Sequence, residues 1–359
     1  MKKKVDYLIV GQGLAGTFLA FQLIQRGKSV LVVDKGLKFS SSRVAAGVIN
    51  PIVLRRFTIT WRAKEFLNYN PSFYEELDNY LGEQFHFNIP LKKLISSNDE
   101  MDFWQHRYNK EGVSDFINKE LTDVNQSMQP AESFKVGLVK QASWLNISKL
   151  LSAFRKNLIQ HESLLEEEFD FSELKESRYK AITFNKIVFC EGARGKYNPL
   201  FKDLPFSLNK GQLITIKNTS LPADSILKKK VFILPTEKNI FKIGATYSWK
   251  WDTSSEEAAH KIEPDKTKLL ESYLKETTKA IYELLKTETG IRPSIKDRRP
   301  VIGRHPDREN TFIFNGMGTR GCFMAPLLVE EFINYAENDE PLDVEVDINR
   351  FTIKQDLNT

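Results

Sequence analysis

The stretch VDYLIVGQGLAGTFLAFQLIQRGKSVLVVD, Val5 to Asp34, decides the fold. Val5 to Val10 is short, apolar and β-branched, as a buried strand requires, and it runs straight into Gly11-Gln-Gly13-Leu-Ala-Gly16. From Leu14 to Arg26 the apolar residues Phe18, Leu19, Phe21, Leu23 and Ile24 recur at helical spacing, and Gly27 supplies the stop. A second apolar strand, Ser29 to Val33, ends on Asp34. That places an acid about 20 residues beyond the glycine turn, as a dinucleotide fingerprint needs. Each part has a physical task. Gly11 permits the tight turn, Gly13 lets a pyrophosphate approach bare backbone, and Gly16 lets helix and strand pack closely. The helix amino terminus, with Leu14 and Ala15 in its first turn, then faces the phosphates. Asp34, followed by Lys35, can accept from the adenosine ribose hydroxyls. The three glycines alone are weak; strand, helix and acid around them make the sign strong. The fingerprint does not separate FAD from NAD.

Outward from this unit, Ser40-Ser-Ser-Arg43-Val-Ala-Ala46-Gly47 is a run of mostly small residues against which a flat ring can lie. Residues 62–120 read as helical and aromatic, with Phe66, Phe73, Tyr74, Leu77, Tyr80 and Leu81 at helical steps, and these aromatics are expected in the core. A helix with Leu150, Leu151, Phe154 and Leu158 on one face follows Asn146. Short strands are expected around Leu164 and Phe171, then a buried-type strand, Lys186 to Cys190, that ends in Glu191-Gly192. Such an ending is a second place for a nucleotide to approach backbone. From Pro205 to Thr246 the period changes to strands (212–216, 231–234, 240–245), which predicts an antiparallel sheet separate from the parallel one. A long amphipathic helix with Leu269, Leu270, Tyr273, Leu274, Ile281 and Leu285 is expected next, and Lys228-Lys-Lys230 reads as a solvated turn. A strand, Thr311 to Phe314, leads to Asn315-Gly-Met-Gly318-Thr319-Arg320-Gly321, which opens a helix from about Cys322 to Tyr335. This second helix start, preceded by flexible backbone, suits the partial negative charge of a reduced flavin edge.

The 359 residues carry 41% hydrophobic and 28% charged side chains, enough for a sizeable core, which excludes a disordered chain. No apolar stretch approaches the ~18 residues of a membrane helix. The lysines at 2–4 precede an apolar run too short for a secretory signal, and two cysteines cannot make a disulfide framework, so the cytoplasm is the expected location. The net charge of +5 permits a polyanionic substrate without demanding one. Five scattered histidines show no metal-ligand spacing, and no metal is expected.

With GQGLAG at Gly11, AAG at Ala45, KGQ at Lys210, GATY at Gly244, GIRPSIKDRRPVIGRHP at Gly290 and GMGTRG at Gly316, the chain resembles the D-amino-acid oxidase superfamily of FAD-dependent amine oxidases. It is similar to the glycine oxidase branch and to the oxidase domain of the tRNA 5-methylaminomethyl-2-thiouridine biosynthesis protein. The resemblance implies an α/β fold in which a Rossmann-type FAD-binding domain interleaves with a substrate domain on a mixed or antiparallel sheet. Residues 1–65, 136–204 and 291–359 would form the first, and 66–135 and 205–290 the second. FAD would lie extended from Asp34, held by Gly11, Gly13, Gly16, Arg43, Ala46 and Gly47, with Gly318, Arg320 and Gly321 around the isoalloxazine. Arg292 falls on the family's arginine that pairs with a substrate carboxylate, a role suited to a guanidinium fork. Two positions depart from the pattern. Phe232 stands where glycine oxidases carry a tyrosine, which puts free glycine in doubt as substrate. Cys322 does not fall on the cysteine that carries covalent flavin in sarcosine oxidases, so FAD is expected to be noncovalent.

The expected reaction is oxidation of the C–N bond of a small amino acid or carboxymethylamine by hydride transfer to flavin, with oxygen as acceptor. Arg292 is the anchor and no general base is assigned. The alternative is a tRNA wobble-uridine carboxymethylaminomethyl oxidase, whose tRNA binding would be salt-sensitive. A reading of another class is an NAD-dependent dehydrogenase or a non-catalytic nucleotide-binding protein.

Overall fold

The computed structural model describes residues 3–36, 40–54, 56–132 and 134–351. Its first eight-stranded sheet begins with Lys3–Val10, which pairs in parallel with Val30–Val33 on one side and Ile182–Phe189 on the other. Tyr7, Leu8, Ile9 and Val10 are all buried, because a central parallel strand is covered on both faces. Leu164–Leu165 extends the sheet beyond Val30–Val33. Arg308–Asn315 adds in parallel beside Ile182–Phe189 and pairs antiparallel with Val301–His305. The last third of the chain thus lies two strands from its first.

Helix Leu14–Gln25 crosses between Lys3–Val10 and Val30–Val33 and is buried over most of its length. Gly27, at φ +71°, turns the chain out of it, a conformation that costs glycine little. The helices Ala63–Leu81, Ile147–Gln160 and Gly321–Asn338 pack around it in one core. Asn70 Nδ2 donates to Phe323 O at 2.9 Å, and Tyr74 donates its hydroxyl to Cys322 O. Phe66, Phe73, Tyr74 and Leu77 are core residues as expected, and so is the face Leu150, Leu151, Phe154, Leu158.

A second eight-stranded sheet runs in the order Glu283–Arg292, Asn209–Lys217, Ile240–Gly244, Phe232–Glu237, Ile226–Lys228, Leu91–Ile95, Lys135–Val139, Ile117–Asp123. Its pairs are antiparallel except Ile226–Lys228 with Leu91–Ile95, so the sheet is mixed. Alternation divides it cleanly. Leu91, Ile95, Ile226 and Leu234 join the core under the first sheet, whereas Leu94, Leu227, Ile233, Ile214 and Ile216 pack on the opposite face.

Three expectations are corrected. The helical reading of residues 62–120 fails at His86–Asn88, Leu91–Ile95 and Ile117–Asp123, which are strands. Phe171 opens a short 3-10 turn, and the strand there is Leu174–Lys175. The helix expected to continue to Leu285 is only Pro264–Lys275. Thr277 Oγ1 donates back to Tyr273 O, and Thr278 Oγ1 to Met128 O at 2.6 Å, which diverts the backbone. Ile281 is 93% exposed, and Glu283–Arg292 joins the second sheet instead.

Candidate active site

The carboxyl ends of the parallel strands open into a cavity of about 2180 Å³ that reaches the second sheet. Gly11 enters the turn at φ +102°, and a Cβ there would lie 2.7 Å from Cys190 O. Gly16 does not line the cavity; a Cβ on it would lie 2.0 Å from Gly11 O, so its bareness sets the contact between helix and turn. At Gly13 the nearest atom to such a Cβ is Ser42 Oγ at 3.3 Å. Helix Leu14–Gln25 has neither a side-chain cap nor an acid in its first turn. Gly47 abuts Leu145 O, where a Cβ would stand at 1.9 Å, and this seats Arg43 and Ala46 along the same wall.

At one end sits Asp34. Its Oδ2 accepts from Gln12 N at 2.8 Å, and its Oδ1 accepts from Gly36 N at 2.6 Å and Arg155 Nη1 at 2.8 Å. A carboxylate offers about four acceptor positions, so among the described residues one remains on Oδ2. Lys35 beside it pairs with Glu168 at 2.9 Å.

At the other end, the glycine turn after Phe314 lies against the first unit. Asn315 Nδ2 donates to Gly192 O at 3.0 Å, and a Cβ on Gly321 would touch Leu14 Cδ2 at 3.1 Å. Two helix starts therefore meet at one cavity. Gly318 N donates to Pro293 O at 3.1 Å, which ties the turn carrying Thr319 and Arg320 to the loop after Arg292. Helix Gly321–Asn338 also has no side-chain cap and no acid in its first turn. Arg320 Nη1 donates to Asn50 O at 3.0 Å and Thr60 Oγ1 at 2.8 Å, and burial lowers its pKa.

Arg292 ends the strand Glu283–Arg292, and its guanidinium lies flat on Gly211, where a Cβ would stand 2.0 Å from Nη2. Nη1 donates to Asn209 Oδ1 at 2.6 Å, and both terminal nitrogens approach Thr246 O at 3.4 Å. Among the described residues neither Arg292 nor Arg320 has a carboxylate partner. Burial lowers the pKa of Arg292 too. Two desolvated cations facing one cavity favour an anionic ligand there, because desolvation without a counter-charge is costly.

The cavity brings together every residue named from the sequence except Gly16. The sequence reading missed Ser42, whose Oγ accepts from Leu14 N at 3.1 Å, and Arg155, which holds Asp34. It also missed Tyr247, whose ring lies 4.5 Å from the Arg292 guanidinium and brings a phenol to a site that Phe232 leaves without one. The lysine run is corrected. All three lysines border the cavity, but only Lys230 is exposed; Lys228 is partly buried, and Lys229 is partly buried with its ammonium paired to Glu132 at 3.0 Å. Cys322 is buried at the start of its helix with its thiol pushed up to about 12 by burial, so it is not a ready nucleophile.

The residues fit an extended dinucleotide. Two helix starts without an acid in the first turn, glycines at close backbone contacts, one remaining Asp34 acceptor and buried cations at the far end occupy a single cavity. Among the described residues no helix is long and apolar enough to cross a membrane.

Comparison with known proteins agrees. The family model for FAD-dependent oxidoreductases, DAO, matches residues 6–332. Glycine oxidase from Geobacillus kaustophilus is similar in structure at a TM-score of 0.75 and 19% identity, covering 95% of this chain and 97% of that one. Iminodiacetate oxidase from Chelativorans sp. BNC1 gives 0.75 and 17% over 94% and 97%. L-proline dehydrogenase from P. horikoshii gives 0.75 and 16% over 99% of each chain. At these identities the likeness concerns the fold.

Proposed function

The chain belongs to the DAO family of FAD-dependent oxidoreductases, and from that membership we propose that it oxidises the C–N bond of a small amino acid or carboxymethylamine whose carboxylate is held by Arg292. One observation carries the proposal: the Arg292 guanidinium, laid on Gly211 beside Tyr247, has hydrogen-bond acceptors to fix it but, among the described residues, no carboxylate to neutralise it. Bound FAD supplies the two-electron acceptor. Gly11, Gly13, Leu14 and Ala15 would hold its pyrophosphate, Asp34 and Lys35 its adenosine end, and Arg43, Ala46, Gly47, Glu191 and Gly192 the intervening wall. Gly318, Thr319, Arg320 and Gly321 would hold the isoalloxazine noncovalently. The coenzyme domain would be built on residues 1–65, 136–204 and 291–359 and the substrate domain on 66–135 and 205–290, save that helix Ala63–Leu81 packs in the coenzyme-side core and strand Lys135–Val139 belongs to the second sheet.

The residues bind and orient rather than exchange protons. Arg292 would take the carboxylate and so fix the adjoining α-carbon and its amine within the cavity that Gly47 and Gly318 also line. Phe232 and Leu213 give the cavity an apolar stretch on the face that carries Arg292. No titratable side chain is assigned as base, and a neutral amine substrate needs none. The resulting imine is hydrolysed by water, and oxygen takes up the electrons as peroxide.

The test is anaerobic flavin bleaching with a panel of N-substituted and free small amino acids, followed by peroxide measurement on admitting air. Arg292→Met is expected to keep FAD and to lose 100-fold or more in kcat/KM on carboxylate substrates, about 3 kcal/mol. A variant that keeps both FAD and full rate would remove the anchor.

A further inference from the structure

The second sheet carries one cross-strand row that the reading of Arg292 leaves unused. Leu213 pairs with Gly244, Gly244 with Phe232, Phe232 with Lys228, and Lys228 with Lys93. All but Gly244 line the cavity. Strand alternation explains their direction: Lys93 lies between Leu91 and Ile95 on their face, and Lys228 is two residues from Ile226 on the same face. Gly244 is bare because the row is crowded, a Cβ there falling 1.9 Å from Leu213 Cδ2 and 3.0 Å from Phe232 Cζ. Two side-by-side lysines on a sheet face repel each other unless something negative meets them.

Little in the protein does. Lys228 Nζ donates to Lys230 O at 2.8 Å, and among the described residues no carboxylate is within ion-pair reach of it. Lys93 donates to Leu94 O at 2.8 Å and meets Glu100 at a loose 3.4 Å. One carboxylate thus faces two cations. Burial, and then the charge of Lys93, pulls the Lys228 ammonium down to about 8.

Resting on the proposed role of Arg292, we infer that the Lys93–Lys228 pair is a second anion subsite, and that the substrate is an elongated amino acid or carboxymethylamine bearing a distal carboxylate or phosphate. The guanidinium lies on the strand of Gly211 and Leu213, three strand steps from Lys228, on the order of 14 Å between backbones. The lysine side chain spans part of that separation. Between the two ends, Leu213 and Phe232 offer an apolar floor to the body of such a molecule. A substrate with one carboxylate would leave the lysines unmatched.

Calorimetric titration of the holoenzyme tests this with straight-chain monocarboxylates and α,ω-dicarboxylates of six to twelve carbons, together with ω-phosphonocarboxylates of the same lengths. The dicarboxylates should bind about tenfold tighter than monocarboxylates at one optimal length, from one added charge-assisted contact. A larger gain for the phosphonates would identify a phosphate as the natural distal group, and an equal gain a carboxylate. Lys228→Met should abolish the gain, Lys228→Arg should keep most of it, and monocarboxylate affinity should move less than twofold. FAD content and Tm verify that each variant is folded. Equal binding of mono- and dianions at every length, or a gain that survives in both Lys228→Met and Lys93→Met, overturns the subsite while leaving Arg292 in place. If monocarboxylates fail to bind, or bind equally to Arg292→Met, the anchor itself fails.

Discussion

Replacing Glu191 by glutamine tests how the wall of the coenzyme cavity is charged. Glu191 follows the strand Ile182–Phe189, and a Cβ on Gly11 would lie 3.3 Å from its Cα. Its Oε2 accepts from Asn198 Nδ2 at 2.6 Å, and no cation among the described residues forms an ion pair with it. Burial pushes its pKa up from the ordinary 4.5 to about 7, against the smaller opposing pulls of Asn198 and Arg194. Between those values the folded protein keeps a proton that the unfolded chain has lost, so stability falls as pH rises. The contribution is complete below about 4.5 and gone above about 7. A shift of that size corresponds to about 3 to 3.5 kcal/mol at 1.36 kcal/mol per pH unit. Glutamine cannot ionise. Glu191→Gln should therefore match the wild type near pH 4 and exceed it above pH 8, by on the order of 4 °C in Tm. Thermal unfolding of the flavin-stripped pair at each pH reads this, because other titrations cancel in the difference. A difference that is flat with pH refutes the buried neutral carboxyl. Wild-type affinity for FAD should also weaken across pH 7, and that of Glu191→Gln should not.

Gly16→Ala should cost about 1 to 3 kcal/mol and bleed FAD from the purified protein, since its methyl would overlap Gly11 O; denaturation midpoint and flavin absorbance check it. Arg320→Met should lower the flavin reduction potential by about 30 mV or more, in line with a lost buried cation worth about 1.4 kcal/mol, and dye-coupled reduction measures that. Acid precipitation should leave a colourless pellet and free FAD in the supernatant, because the Cys322 thiol, buried and pushed up to about 12, is not poised to bond to flavin.

The coenzyme end was legible because its task is local. Gly11, Gly13 and Gly16 act through backbone geometry, and the strand and helix around them announce their own periods. The closing turn was legible for the same reason. The residues that arm these backbones come from elsewhere: Arg155 reaches Asp34 from 121 positions along the chain, and Thr60 reaches Arg320 from 260. Spacing within a motif carries no trace of them. The lysine run misled because Lys228 still belongs to the strand Ile226–Lys228, on the face of Ile226, while Lys229 and Lys230 stand in the bend that follows, so three like residues have different surroundings. Ile281 and Leu285 misled because their spacing extends the preceding helix, while Thr277 and Thr278 spend their hydroxyls on carbonyls and end it.

The parallel placement of Arg308–Asn315 beside Ile182–Phe189 has a consequence for biosynthesis. A ribosome that has made residues 1–300 has laid down the turn Gly11 to Gly16 and its helix but not the turn Gly316 to Gly321 that meets them at the cavity. Capture of the coenzyme must then wait until Gly316 to Gly321 have emerged, so flavin supply should govern maturation of finished chains rather than folding of nascent ones.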